Sequence, residues 1–272
     1  MSFEIKLGSY SFGNYVDTFE VLQDSRVEQV TIPRRNGYMS DVGYKAGLAI
    51  RIGGLIYCDS YLDTRVAFNL LKNAFQLGKA MLTVFSDRQL EVQKTSFASS
   101  FEDQDLRRIR WEAQLVSDDF GFQDVDQIVV ENSILATPQT DVVNNPGNLE
   151  TRPVIRITAG TEIIASGVRV DNLTSGKFFI YNEAIPVGTY IEIDTENLTV
   201  VNSAGTNKLN YFSGDFFTLD GGNNSIKYTG TVTEGTAGVE AGDTILLESG
   251  DGLALEGAPK LKFTYRGKYD GI

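Results

Sequence analysis

Apolar residues along this chain recur mostly at every second position, the spacing that sends successive side chains to opposite faces of a strand. The opening residues, MSFEIKLGSYSFGNY, alternate in this way and read as a strand. So do residues 48–57, 80–85 and 91–96, the last two joined as a hairpin over Ser86, Asp87 and Arg88. In residues 109–116, Trp111, Ala113 and Leu115 share one face, while Arg110, Glu112 and Gln114 share the other. One segment of the first half has helical spacing instead. Ala67, Leu70, Leu71 and Ala74 stand at i, i+3, i+4 and i+7, a single apolar stripe. Ser60 and Asp63 before it fit a variant of the capping box, and Gly78 beyond it supplies a left-handed stop.

The second half reads as short strands throughout. Candidates are residues 154–158, 167–171, 178–181, 190–194, 198–202, 216–219, 225–229, 244–248, 253–256 and 261–265. Glycine marks the change, because 18 of the 27 glycines lie after residue 135, at strand ends. Regular strands with turn signals between them predict a β-sandwich or a barrel. Asp220–Asn224 reads as one such turn, with Gly and Asn tolerating positive φ. Between the halves, Asn144, Asn145, Pro146, Gly147 and Asn148 are turn formers ahead of Pro153, which has no amide to donate and suits the start of a strand. The expected division is therefore residues 1–132, a linker over 133–149, and a sandwich over 150–272. The fold class is mainly β, with one helix in the first domain.

Charge singles out one stretch. From Lys227 to Lys260 no basic residue occurs, yet Glu234, Glu240, Asp243, Glu248, Asp251 and Glu256 do. Two near copies, at 245–248 and 253–256, flank Ser249–Gly252, so residues 230–257 read as an acidic hairpin inserted on the sandwich and projecting from it. The whole chain carries a formal charge of −12. Residues 1–130 hold 14 basic and 18 acidic residues, and 131–272 hold 10 and 18. Such a surface repels phosphate backbones and argues against nucleic-acid recognition. No apolar run approaches the ~20 residues of a membrane helix, so membrane insertion is not expected.

Candidate chemistry is sparse. The chain has no histidine, which removes His-dependent triads and His metal sites. Cys58 is the only cysteine and lies in the apolar run GGLIYC, where a small buried hydrophobe is the ordinary reading. Among 36 acidic residues some carboxylate pair always exists, so Asp118 with Asp119, or Asp194 with Glu196, is better read as turn solvation than as a glycosidase pair. No Ca²⁺ loop pattern occurs, and Asp251 offers one carboxylate locally. No catalysis, cofactor or metal is expected. Arg34, Arg35, Arg107 and Arg108, with Asp63, Arg65 and Lys72 of the helix, are candidate contacts to a neighbouring copy, because Arg bonds carboxylates in a two-pronged way. Tyr211 and Phe212 are candidate glycan contacts, set against the usual use of aromatics as core.

Several runs carry a family resemblance. Ile191–Val201, then Gly205 with Asn207 and Leu209, then Gly214–Leu219, then Gly222 with Asn224 and Ile226, are similar in order to the C-terminal domain of siphophage distal tail proteins. The polar joint Asn144–Asn148 before a Pro-led strand resembles the same family, as does the closing segment Trp111–Phe122 of the first half, although Asp118-Asp119-Phe120 lacks the family's turn proline. The resemblance implies a ring-forming N-terminal domain and a galectin-like C-terminal sandwich. It implies a structural virion protein at the tail tip of a long non-contractile-tailed phage, made in the bacterial host cytoplasm. There it would form a homo-oligomer, a hexameric ring, joining the tail tube protein to a tail-tip or lysin-carrying protein and a receptor-binding protein. The alternative function is a carbohydrate-binding module that contributes to host-surface adhesion through a host glycan.

Overall fold

The computed structural model of the chain describes residues 4–26, 29–31, 38–40, 44–76, 78–104, 106–119, 121–161, 163–231 and 258–270. Two compact units result, one reaching Asp126 and resuming at Tyr269, the other running from Gln127 to Lys268.

In the first unit the alternating segments become β1 (Ile5–Leu7), β2 (Tyr10–Ser11), β3 (Thr18–Arg26), β4 (Gln29–Thr31), β5 (Tyr38–Ser40) and β6 (Tyr44–Tyr57). Helix α1 (Tyr61–Ala74) follows, then β7 (Lys79–Val84), β8 (Arg88–Phe101), β9 (Arg108–Val116) and β10 (Phe122–Asp124). The main sheet runs β2-β1-β7-β8-β9-β6-β3, with β10 beside β8, and β4 pairs with β5. Its inner face is what alternation predicts: Ile50, Ile52 and Ile56 of β6 and Ile109, Trp111, Ala113 and Leu115 of β9 are all buried. Phe12, Phe75 and Trp111 meet within 6 Å, and Phe12 stacks on Trp111 at 5.6 Å. Where β8 shifts register between Lys94 and Ser96, Thr95 Oγ1 donates to the Gln114 carbonyl at 3.1 Å, occupying an acceptor at the bulge. At Gly54 a side chain has no room, since a Cβ would stand 1.6 Å from the Tyr15 carbonyl oxygen. Tyr269 closes this unit, with the Arg88 guanidinium 3.6 Å from its ring centre and its hydroxyl donating to Asp124.

Helix α1 begins at Ser60 as expected, whose hydroxyl accepts the Asp63 amide at 3.2 Å. Its inner stripe differs from the expected one. Thr64, Leu71 and Ala74 are buried and Ala67 packs on the core, but Leu70 is 54% exposed. Leu71 sits at the centre of the packed face, and Leu70, about 100° round the helix from it, is left on the outer side. Thr64 takes the inner place because its hydroxyl bonds the carbonyls of Ser60 and Arg107, at 3.0 and 3.2 Å.

The second unit is a two-sheet sandwich. Its strands are β11 (Ile128–Ser133), β12 (Gln139–Asn145), β13 (Val154–Thr158), β14 (Val168–Asn172), β15 (Lys177–Tyr181), β16 (Tyr190–Asp194), β17 (Thr199–Asn202), β18 (Phe212–Gly214), β19 (Gly222–Thr229) and β20 (Lys260–Tyr265). One sheet has the order β11-β20-β13-β16-β17, the other β12-β19-β14-β15-β18. Ile155, Ile157, Ile191, Ile193 and Phe263 of the first sheet and Val143, Val168, Val170, Phe179 and Ile226 of the second share one core.

The expected linker over 133–149 is not one. Residues 128–133 and 139–145 are the first strands of the two sheets, so the division falls at Asp126 and Gln127. The turn formers after β12 make a packed turn. Asn145 is fully buried, its amide donates to the carbonyls of Leu149 and Leu219, and its oxygen accepts the Gly147 amide. A Cβ on Gly147 would stand 2.3 Å from the Lys268 carbonyl oxygen. Residues 216–219, expected as a strand, are extended chain whose Leu219 makes a single bridge to Thr151, although Phe217 and Leu219 are buried. The expected turn at Asp220–Asn224 closes into β19 at Gly222, tied by Asn224, whose oxygen accepts the Asp220 amide. The expected strands at 244–248 and 253–256, and all but the first residues of the 230–257 insertion, lie outside the described residues.

Candidate subunit interface

Two stripes run along α1. One is the buried stripe just given. The other is Leu62, Val66 and Leu70, at i, i+4 and i+8, exposed at 67%, 59% and 54%. Three large apolar side chains in register on one exposed helix face form the kind of patch that marks a protein contact, whereas single exposed apolar residues do not. Tyr61 extends the exposed apolar surface at the helix start, and Tyr57 lies exposed at the end of β6.

The candidate contact residues of the sequence fall partly around this stripe. Asp63 is bound within the cap, accepting from the Ser60 hydroxyl at 2.7 Å. Arg65 is exposed, and Lys72 lies over the Phe68 ring at 5.7 Å. Arg107 precedes β9 and Arg108 begins it, after a turn held by Asp103, whose carboxylate accepts both of their amides at 2.9 and 3.2 Å. The Arg107 carbonyl is the one Thr64 of α1 bonds, so this turn is tied to the helix. Arg108 sits 5.1 Å from the Tyr57 ring centre. Arg34 and Arg35 lie outside the described residues.

The outer side of the main sheet is charged. Arg51 and Arg110 alternate with buried residues and so point away from the core. Arg51 binds Glu112 through two nitrogens at 2.7 and 2.8 Å and approaches Glu20 at 3.7 Å. Arg110 lies between Glu102 and Asp17, and Lys79 between Glu91 and Asp118, at 3.2 and 3.3 Å. Hydrogen bonding to Glu112 raises the Arg51 guanidinium, and the same bond lowers the Glu112 carboxyl. Each of these three cations therefore has two acidic partners. Asp118, half of one carboxylate pair, is thus spent on Lys79, and Asp194 of the other accepts the amides of Glu196 and Asn197 in a turn.

The candidate glycan contacts lie in the sandwich. Phe212 stacks on Phe216 at 4.4 Å and Phe179 at 5.5 Å, which commits it to packing. Tyr211 lies 6.4 Å from Tyr181, with the Lys208 ammonium 5.2 Å above its ring. Among the described residues no group of three or more Cys, Asp or Glu could hold a metal ion, and no helix is long and apolar enough to cross a membrane. Sequence reasoning missed the Leu62, Val66 and Leu70 stripe, although its i, i+4, i+8 spacing is visible, because Leu70 was assigned to the core.

Residues 146–240 match the model of the siphovirus-type tail component, C-terminal domain. The whole chain has the fold of the SPP1 Dit (gp 19.1) protein, whose crystal structure is described as a paradigm of the hub adsorption apparatus in phages infecting Gram-positive hosts. That match covers 98% of this chain and 99% of the other, with a TM-score of 0.69 at 12% identity. Residues 146–240 are thus similar to the siphovirus-type tail component domain, and the chain shares the Dit fold. A chain of the phage P2 baseplate in its activated conformation with Ca matches this chain over 100% of both lengths, at 8% identity and a TM-score of 0.42, too low to bear on the fold. No curated protein matches the sequence. The Dit-like fold spans both units, so the second unit is only one part of the likeness.

Proposed function

We propose that the chain is a distal tail, or baseplate hub, protein that closes into a ring of identical subunits through its first unit. Six is the subunit number that the family resemblance implies. The ring joins the tail tube to tail-tip, lysin-carrying and receptor-binding components of a long-tailed, non-contractile phage, and the protein serves as structure without catalysing a reaction. One observation carries the ring: the exposed Leu62, Val66 and Leu70 stripe on α1, in a chain whose fold matches a hub protein from end to end. Apolar side chains concentrated at a contact, with Arg65 and Lys72 beside them, follow the anatomy of interfaces between subunits.

Native mass spectrometry and negative-stain micrographs of the purified chain test this reading. A closed ring is expected, together with its loss in the triple variant Leu62→Glu, Val66→Glu, Leu70→Glu, which stays folded because all three side chains are outside the core. A wild-type chain that remains monomeric at high concentration, and on addition of tail tubes, counts against it.

A further inference from the structure

We propose that Tyr269 is a strap that couples the stability of the second unit to the first. Docked on Arg88, it holds closed a loop made of the whole second unit. The proposal is independent of the ring. The chain leaves the first unit after Asp126 and resumes it at Tyr269, so residues 127–268 are an insertion between two points of the first unit.

Tyr269 ends a short strand, β21 (Lys268–Tyr269), that pairs with β10. The Arg88 guanidinium stands 3.6 Å from the centre of its ring, and its hydroxyl donates to Asp124 at 3.3 Å. Arg88 binds the other Asp124 oxygen at 2.5 Å, and these two side chains are only 23% and 17% exposed. Asp124 is also the last residue of β10, opposite Arg88 in register, and its carbonyl accepts the Gln89 side-chain amide at 3.2 Å. Val125 then donates its amide to the Asp87 carbonyl at 3.0 Å. One arginine thus grips both the point where the chain departs and the residue with which it returns. The planar guanidinium suits this double task, since it stacks on a ring while its edge bonds a carboxylate.

The folded sandwich brings its own two ends together. Ile128 stands opposite Tyr265 in the β11–β20 ladder, and the Leu149 amide donates to the Lys268 carbonyl at 3.0 Å. Docking Tyr269 on its seat therefore closes no further loop. When the sandwich unfolds, Tyr269 either leaves the seat or holds the whole unfolded segment in a closed loop of reduced entropy. Either course costs free energy. The strap thus makes the second unit harder to unfold through contacts that its side chain makes in the first, as a disulfide does across a loop. The coupling cannot exceed the affinity of Tyr269 for its seat. It is also reciprocal, so whatever steadies the second unit, a bound partner included, tightens Tyr269 on Arg88.

Hydrogen exchange read by mass spectrometry on the full chain tests the strap. Fluorescence of Trp111, the one tryptophan of the chain and buried in the first unit, verifies that this unit stays folded. In Tyr269→Ala the core strands β13 and β16 of the second unit should exchange about tenfold faster, within the range of couplings between distant sites (~5–150-fold). Tyr269→Phe keeps the ring over Arg88 and should accelerate them less. Should Tyr269→Ala fail to fold, Arg88→Lys keeps the charge beside Asp124, loses the stacked plane, and should speed the same two strands. Exchange of β13 and β16 that stays at the wild-type rate, with any change confined to β8 and β10, would overturn the proposal.

Discussion

Asn145 and Leu219 are 74 residues apart in sequence, yet the Asn145 side-chain amide donates to the Leu219 carbonyl at 3.2 Å inside the sandwich. The same side chain bonds the Leu149 carbonyl and the Gly147 amide, so one buried residue closes a turn and fastens a second segment to it. Asn145→Ala leaves these groups without a partner in a place that water does not reach. A cost of about 2–4 kcal/mol is expected, since an unmatched buried polar group costs ~1–3 kcal/mol. Urea unfolding of the second unit should show it as a lowered midpoint. A midpoint within error of wild type would mean that the turn holds without this side chain.

Ser60→Ala removes the hydroxyl that accepts the Asp63 amide and donates to its carboxylate. Loss of such a cap costs about 1 kcal/mol. Because α1 presents the Leu62, Val66 and Leu70 stripe, the variant should also loosen ring closure, read as a lower ring-to-monomer ratio at fixed concentration. Ser60→Asp keeps an acceptor at the cap and should restore both.

Acid should weaken the second unit through Glu183. Its carboxyl is held below its ordinary value of 4.5, first by the bond from Lys208 and then by that from Tyr181. A lowered folded-state value means that the stabilisation is complete above the unfolded value and disappears as pH falls through the folded one. Melting temperature should therefore drop below pH 4.5, with a smaller drop in Glu183→Gln. Equal drops in the two proteins would assign the acid sensitivity to other carboxylates.

Alkali acts on Tyr228 with the opposite sign. Burial pushes its hydroxyl from 10.0 up to about 12, and among the described residues the hydroxyl has no hydrogen-bond partner. Between those values the unfolded chain releases a proton that the folded chain keeps, so stability falls as pH rises through that window. Tyr228→Phe should flatten this loss and be neutral or stabilising by up to about 1 kcal/mol at pH 7, because it removes a buried unmatched hydroxyl. Melting temperatures across the alkaline range check both expectations.

The strands that the sequence reveals most clearly are those with one buried face. Residues 109–116 show it: Trp111, Ala113 and Leu115 point inward and Arg110 and Glu112 outward, as their alternation requires. Residues 128–133 and 139–145 alternate less cleanly, and the Asn, Pro and Gly beside them look like a linker. They are instead the first strands of the two sheets, each fixed by a partner far along the chain, β20 for one and β19 for the other. Local spacing cannot report a partner about 80 residues or more away.

Alternation, the Ser60 cap and the spacing of the turns determined that this chain is β-rich with a helix in its first half, and that its second half is made of short strands fit for a sandwich or a barrel. These features are local, set by whether successive side chains share a face and whether a residue tolerates a turn. Tertiary structure decided which apolar residues are core and which are surface. Leu70 and Leu71 are indistinguishable by type, and only the packing of α1 on its sheet turns Leu71 inward and leaves Leu70 beside Leu62 and Val66. Glu183 and Lys208, 25 positions apart and unremarkable as letters, become an ion pair on a cavity wall only because the loop after β15 and the turn after β17 converge.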